Sequence, residues 1–73
     1  MSGFVIVRYV RARTGGATIP VYLRTGSDGG QYWTFTKARA DVFGARDRAR
    51  DAIGQYRRDH ACDTAYDERV DPA

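Results

Sequence analysis

The order of apolar and polar residues predicts three strands in the first half of the chain. Residues 4–11 are β-branched or aromatic at most positions, contain no Gly or Pro, and are apolar on both alternating faces, which is typical of a central strand. Residues 18–24 and 31–36 form two further alternating segments. One face of these two strands carries Ile19, Val21, Leu23, Trp33 and Phe35, and the other carries Tyr22, Arg24, Tyr32, Thr34 and Thr36.

Glycine-rich turns separate these strands at residues 14–16 and 27–30. Asp-Gly between two alternating segments is a strong hairpin signal, so we expect neighbouring strands to run antiparallel. Neither turn has the spacing or the following Lys of a phosphate-binding loop. Pro20 cannot donate a backbone hydrogen bond, which places the start of the second strand at a sheet edge or a loop.

A helix is predicted over residues 45–60, where small and apolar residues recur at helical spacing. Gly54 lies inside this segment and lowers helix stability by about 1 kcal/mol relative to Ala. We interpret it as a point where the helix approaches the sheet closely. The predicted apolar stripe consists of Ala45, Ala49, Ala52, Ile53 and Tyr56.

Residues 37–43, between the third strand and the helix, admit two interpretations. Thr36 could cap a single helical turn that ends at Ala40, followed by extended residues 41–43. Alternatively, the third strand continues through the whole segment. We favour the short turn.

The predicted fold is α+β: a three-stranded antiparallel sheet with one C-terminal helix packed on one face (βββα). The helix and Phe43 are expected to cover the side of the sheet that carries Leu23 and Trp33. Residues 1–60 then form a single domain, and residues 61–73 a loosely ordered acidic tail, because they contain few apolar groups. A short additional strand at residues 64–70 is the alternative.

Length and charge narrow the classes of function. With 73 residues the chain is one small domain, which excludes a two-domain enzyme and a deep pocket. Residues 1–60 contain eleven Lys and Arg against five Asp and Glu, a formal charge of +6, whereas residues 61–73 carry −3. A basic surface of this kind favours polyanions and acidic partners.

The cellular setting is indicated by what the sequence lacks. Cys62 is the single cysteine, so an internal disulfide is excluded and a reducing, cytoplasmic compartment is expected. No apolar run approaches the ~20 residues of a membrane span, and the N-terminus has no secretory-signal pattern. We therefore expect no membrane partner.

Catalytic and metal-ligating residues are scarce. His60 is the single histidine and lies near the predicted helix C-terminus, close in sequence to Cys62 and Asp63. These three could bind a metal loosely, but a specific site needs further convergent ligands, and nothing orients the Cys/His pair for nucleophilic catalysis. The sequence predicts neither an enzyme nor a cofactor or metal site.

The sheet face opposite Leu23 and Trp33 is the better candidate for function. Tyr and Arg are enriched among residues that dominate binding energies, and aromatic residues on a sheet can also stack with bases. The alternative is that Tyr and Thr are simply favourable strand residues on a solvated face. The predicted partner-binding residues are Tyr22, Arg24, Tyr32 and Thr34, together with Arg8, Arg11 and Arg13 near the first turn.

A pattern of packing residues gives a family resemblance. A Trp strand, then A-x-x-F, then a helix with Ala and an aliphatic residue resembles short proteins of phages, prophages and mobile elements; here the residues are Trp33, Ala40, Phe43, Ala49 and Ile53. The resemblance implies a ββα or βββα module, and some phage proteins of this size are anti-CRISPR inhibitors of host defence. Ala45 departs from the usual Ser or Thr helix cap.

Two functional hypotheses follow. The first is a small protein-binding module, phage- or mobile-element-encoded, that binds and blocks a host macromolecule, with an anti-CRISPR-like inhibitor as the concrete version. The second is a basic nucleic-acid-binding protein that uses the Tyr/Arg sheet face, with an affinity that falls steeply with salt. A homodimer is compatible with both, because a small core gains from burial against a partner.

Overall fold

Strands and one α-helix account for most of the chain in the computed structural model, which describes residues 3–11, 15–61 and 67–73. The described elements are β1 (Phe4–Arg11), β2 (Thr18–Thr25), β3 (Gln31–Thr34), a 3₁₀ turn (Lys37–Arg39), α1 (Arg46–Asp59) and β4 (Glu68–Pro72).

The strands form one antiparallel sheet in the order β3-β2-β1-β4. β1 is an inner strand, as its two apolar faces predict, and Val5, Ile6 and Val7 are all buried. β2 pairs with β3 only over residues 22–25. Pro20 therefore lies on the part of β2 that β3 does not reach. Its missing backbone N–H does not interrupt the hydrogen bonds between β2 and β3.

The expectation of three strands is wrong, because residues 68–72 add a fourth. β4 pairs with β1 from Phe4–Pro72 to Arg8–Glu68, so this part of the expected loose tail belongs to the sheet. It overlaps the alternative strand at 64–70 over residues 68–70. Val70 is half-buried against the core, and its neighbours are charged or Pro, so the segment has little local strand signal and forms through its long-range partner.

The helix covers the Trp33 side of the sheet, as predicted. α1 begins and ends within one residue of the predicted bounds and buries Ala49 and Tyr56 against Ile6 and Leu23. None of the helices in the described residues is long and apolar enough to cross a membrane. The half-buried residues around this core are Phe4, Trp33, Phe43, Ala52, Ile53 and Val70.

Gly54 does not mark a close approach of α1 to the sheet. A Cβ atom placed on it would meet only the Nη1 atom of Arg58, at 3.7 Å. The expectation of a close approach is therefore wrong, and this glycine leaves room for a side chain.

The segment between β3 and α1 is a short turn followed by extended chain, as favoured from the sequence. The Asp41 N–H donates to the Leu23 carbonyl at 3.0 Å, and Phe43 and Phe4 exchange two backbone hydrogen bonds of 2.8 and 2.9 Å. The segment thus bridges the ends of β2 and β1. Thr36 precedes the turn, but its side chain makes no capping hydrogen bond.

Phe35 does not join the core, contrary to the predicted alternation. β3 ends at Thr34, so the pleat that would direct Phe35 toward the Trp33 side stops one residue earlier. Its side chain is 73% exposed.

Candidate binding face

The sheet face turned away from α1 holds a group of tyrosines and arginines, which we call the open face. Strand register brings them together: Tyr22 lies opposite Thr34, Arg24 opposite Tyr32, and Val7 opposite both Tyr22 and Arg69. Alternation then places every second residue of each strand on the same side. The open face consists of Tyr9, Arg11, Tyr22, Arg24, Tyr32, Thr34 and Arg69.

The tyrosines of the open face differ in exposure. Tyr32 is 47% exposed and Tyr9 is 41% exposed, whereas Tyr22, Arg24 and Thr34 are half-buried. The structure therefore brings together the four strand residues predicted for partner binding. It presents two large rings to solvent on the side of the sheet opposite α1.

Arg8 does not belong to this surface, so its predicted exposure is wrong. Its side chain lies on the helix side of β1 and is buried at 3% exposure. Strand alternation assigns this residue to the face of Phe4 and Ile6, and α1 packs over that face. Arg11 is exposed at the end of β1, as predicted, and Arg13 lies outside the described residues.

Arg8 is held by a buried charge network. The Glu68 carboxylate accepts from Arg8 Nη2 at 2.8 Å and Nε at 3.1 Å, and from Arg57 Nε at 2.8 Å. The Arg8 and Glu68 side chains are only 4% and 2% exposed. Because a buried charge needs a partner of opposite sign, Glu68 ties β4 to both β1 and α1.

Aromatic rings complete this network. The Arg8 guanidinium lies 4.2 Å from the Trp33 ring centroid, in cation–π range, and Trp33 Nε1 donates to the Tyr56 hydroxyl at 2.8 Å. The His60 ring stacks on Tyr56 with centroids 4.4 Å apart. His60 is thus engaged in packing at the end of α1. Cys62 and Asp63, its neighbours in the sequence, lie outside the described residues.

Arg24, on the open face, is bonded far less completely than Arg8. Its Nη1 atom reaches the Arg39 carbonyl at 3.5 Å, the outer limit of a hydrogen bond. Its Nε atom is buried and has no hydrogen-bond partner among the described residues. An unsatisfied donor of this kind costs about 1–3 kcal/mol, so this part of the face is not arranged for stability alone.

Cations outnumber anions around the open face. Arg69 is 66% exposed at its side chain and lies 4.0 Å from Asp71, while Lys37 and Arg39 are exposed on the 3₁₀ turn beside Arg24. Asp41 accepts a 2.6 Å hydrogen bond from the Thr25 hydroxyl. The face is therefore basic, but its arginines are interrupted by carboxylates.

An open apolar pocket of about 380 Å³ lies at one end of this surface. Val5 alternates in phase with Tyr9 along β1 and so lies on the open face. The pocket and the tyrosines are therefore on the same side of the sheet. Val42 is 64% exposed at its wall. The lining residues are Val5, Lys37, Ala38, Val42 and Ala73.

Two members of the face, Tyr9 and Arg69, were not among the residues predicted for binding. Tyr9 lies on the same side of β1 as Val5 and Val7. These two valines are buried and only Tyr9 is exposed, so the apolar pattern of this side did not indicate a surface residue. Arg69 gave no signal, because its position depends on β4 pairing with β1. The pocket likewise depends on residues 3–5, 37–42 and 73 meeting in space.

Neither a metal centre nor a known family can be assigned from the described residues. They contain no group of three or more His, Cys, Asp or Glu side chains that could hold a metal ion. Comparison with protein-family models, with curated proteins and with solved structures finds no match.

Proposed function

We propose that this protein is a non-enzymatic protein-binding module that docks through its open face and blocks the surface of another macromolecule. The observation that carries the proposal is the pair of exposed rings, Tyr9 and Tyr32, among arginines on the sheet face opposite α1. Tyrosine supplies large contact area with one polar end, and Tyr and Arg dominate binding energies when they become desolvated.

Two features favour a protein as the partner. The pocket at the end of the open face is lined mainly by apolar side chains, and protein interfaces are built around buried apolar anchors. The carboxylates of Asp41 and Asp71 also interrupt the cations, which disfavours a continuous track for phosphates.

Blocking is the form of action that suits a chain of this size. A face of four short strands offers an area suited to covering a site on a larger molecule, and inhibition by occupancy requires no catalytic group. Inhibition of a host complex, as by some phage proteins of this size, is the concrete version that we propose, and the resemblance of residues 33–53 to short phage and mobile-element proteins motivates it. The source in a phage or mobile element belongs to the same proposal.

Site-specific photo-crosslinking tests the docking face. A benzophenone amino acid at position 32 should crosslink a discrete bacterial partner, whereas the same group at Arg48, on the exposed side of α1, should not. The partner is then purified and its affinity measured for Tyr32→Ala and Arg24→Ala, with Arg48→Ala as the matched arginine control. Unchanged affinity in both open-face variants would remove the proposal.

The exposed tyrosines also support nucleic-acid binding as a second candidate. Tyr9 and Tyr32 could stack with unpaired bases while Arg11 and Arg69 contact phosphates. This predicts an affinity for single-stranded DNA or RNA whose logarithm falls linearly with the logarithm of salt. Fluorescence anisotropy across a salt series decides between the candidates, since a protein-specific face gives only weak binding that is insensitive to strand type.

A further inference from the structure

We infer that the apolar pocket is the anchor site for the partner: it takes one large aliphatic side chain, with a carboxylate beside that side chain held by Lys37. This inference rests on the proposed function and names the chemistry of the segment recognised, an acidic peptide segment. The pocket, of about 380 Å³, lies within the ~300–1,000 Å³ of typical ligand sites.

The walls of the pocket suit an aliphatic group. Val5 forms its floor within the sheet and is 1% exposed, while Val42 at the wall remains 64% exposed. Ala38 and Ala73 add small apolar side chains. An aliphatic side chain that enters here removes the exposed surface of Val42 from water, which is the favourable term in apolar association.

The charges around the pocket favour an anion at its rim. Lys37 lines the pocket, is exposed, and forms no ion pair with any residue that the structure describes. Two carboxylates of the described residues near this end of the sheet have partners: Asp41 accepts a hydrogen bond from Thr25, and Asp71, opposite Val5 in the register, lies 4.0 Å from Arg69. A carboxylate on the partner would therefore meet an unpaired cation.

The pocket is continuous with the open face. From Val5, β1 leads past Val7 to Tyr9, a distance of about 13 Å at ~3.3 Å per residue. Val7 is flanked by Tyr22 and Arg69 in the register. A segment anchored at Val5 that continues along β1 thus passes Arg69 and reaches the exposed ring of Tyr9, so further acidic residues on it would meet cations.

The pocket can be tested on this chain alone, with N-acetyl-leucine as the probe and methyl NMR spectra of Val5 and Val42 as the readout. We expect saturable shifts of both valines with a dissociation constant on the order of 1–10 mM. The neutral N-acetyl-leucine methylamide should bind about threefold more weakly, the size of one exposed ion pair. N-acetyl-glycine, which has no side chain, should cause no shift.

Variants separate the apolar contribution from the charge. Lys37→Met keeps an aliphatic wall and should abolish the preference for the anion, whereas Arg48→Ala on α1 should preserve it. Ala38→Trp should fill the pocket and remove binding; Ala38 is exposed, and an unchanged Trp33 indole signal verifies the fold.

Three outcomes overturn the inference. Absence of shifts at Val5 and Val42, or equal binding of the anion and the methylamide, rejects the site as described. Shifts of these valines with oligothymidylate but not with N-acetyl-leucine also reject it and support nucleic acid instead. Because the probe needs no partner, rejection here with successful crosslinking at position 32 leaves the proposed function standing.

Discussion

Arginine side chains have opposite environments on the two sides of the sheet. Arg8, on the helix side, is buried, bonded twice to Glu68 and positioned over Trp33. Arg24, on the open face, reaches one carbonyl at 3.5 Å and leaves a buried Nε without a partner among the described residues. The helix side is built to satisfy its charge, whereas the open face retains unused bonding capacity.

The tyrosines show the same contrast. Tyr56 is 4% exposed, and its hydroxyl accepts from Trp33, so both its ring and its polar end are used within the fold. Tyr32 is 47% exposed and leaves much of its ring in water. A residue whose groups are all satisfied internally contributes to stability, and one whose groups face solvent is available to a partner.

The largest expected effect comes from the buried charge network. Glu68→Gln removes the negative charge that the buried Arg8 guanidinium contacts at 2.8 Å, which should lower the free energy of unfolding by about 3–5 kcal/mol. Urea denaturation followed by tryptophan fluorescence measures this. The control is Asp71→Asn in the same strand, whose 4.0 Å pair is partly exposed and should contribute less than about 1 kcal/mol.

Replacing both ions by apolar residues sharpens that test. The double variant Arg8→Met with Glu68→Leu should recover most of the stability lost in Glu68→Gln, because the buried ion pair is then removed as a unit, while the Arg57 side chain is 46% exposed and stays solvated. If Glu68→Gln alone is as stable as the native chain, the network does not hold β4 in the sheet.

A smaller loss is expected at the helix–sheet contact. Tyr56→Phe removes the acceptor of the Trp33 indole N–H and leaves that donor unpaired in a partly buried setting, which should cost about 1–3 kcal/mol. Tyr32→Phe is the matched change on the open face and should leave the denaturation midpoint nearly unchanged. Equal effects of the two substitutions would contradict the distinction between the two sides.

Gly54 offers a gain in stability on the helix side. Gly54→Ala should raise the free energy of unfolding by about 1 kcal/mol, because Ala favours the helix and its Cβ meets only the Arg58 guanidinium at 3.7 Å. Thermal denaturation measures the change. Gly3→Ala is the opposite case: its Cβ would lie 2.5 Å from Val42 Cγ1, so it should destabilise. A loss with Gly54→Ala would show that the helix has no spare room there.

The smallest effect on stability is expected on the open face, where the effect on binding should be largest. Tyr32→Ala should change the free energy of unfolding by less than about 0.5 kcal/mol, while weakening partner binding by about 2 kcal/mol if this ring is a central contact. Denaturation and titration with the crosslinked partner measure the two quantities. A large loss of stability would mean that Tyr32 belongs to the fold and not to an interface.

Much of the fold could be predicted because its signals are local. Alternation in residues 18–24, the Asp28-Gly29 turn and the alanine spacing of the helix each act within a few residues. They predicted three strands, α1 and the side of the sheet that it covers. The exposed ring of Tyr32 and its neighbour Arg24 follow from the same alternation.

The remaining features could not be predicted, because they depend on contacts distant in the sequence. β4 has few apolar residues and forms only beside β1, where Glu68 meets Arg8 across 60 positions. Phe35 lies in water because β3 ends at Thr34, a boundary that alternation alone does not mark.

The sequence by itself determined the first three strands, the helix and the side of β2 and β3 that receives the helix, since backbone preference and periodicity are properties of neighbouring residues. Only the tertiary structure decided which arginine is buried, because both faces of β1 are partly apolar and the sequence does not show which of them the helix covers. Burying a charge is feasible only where an opposite charge meets it in space, and Glu68 arrives beside Arg8 when the last strand joins the sheet.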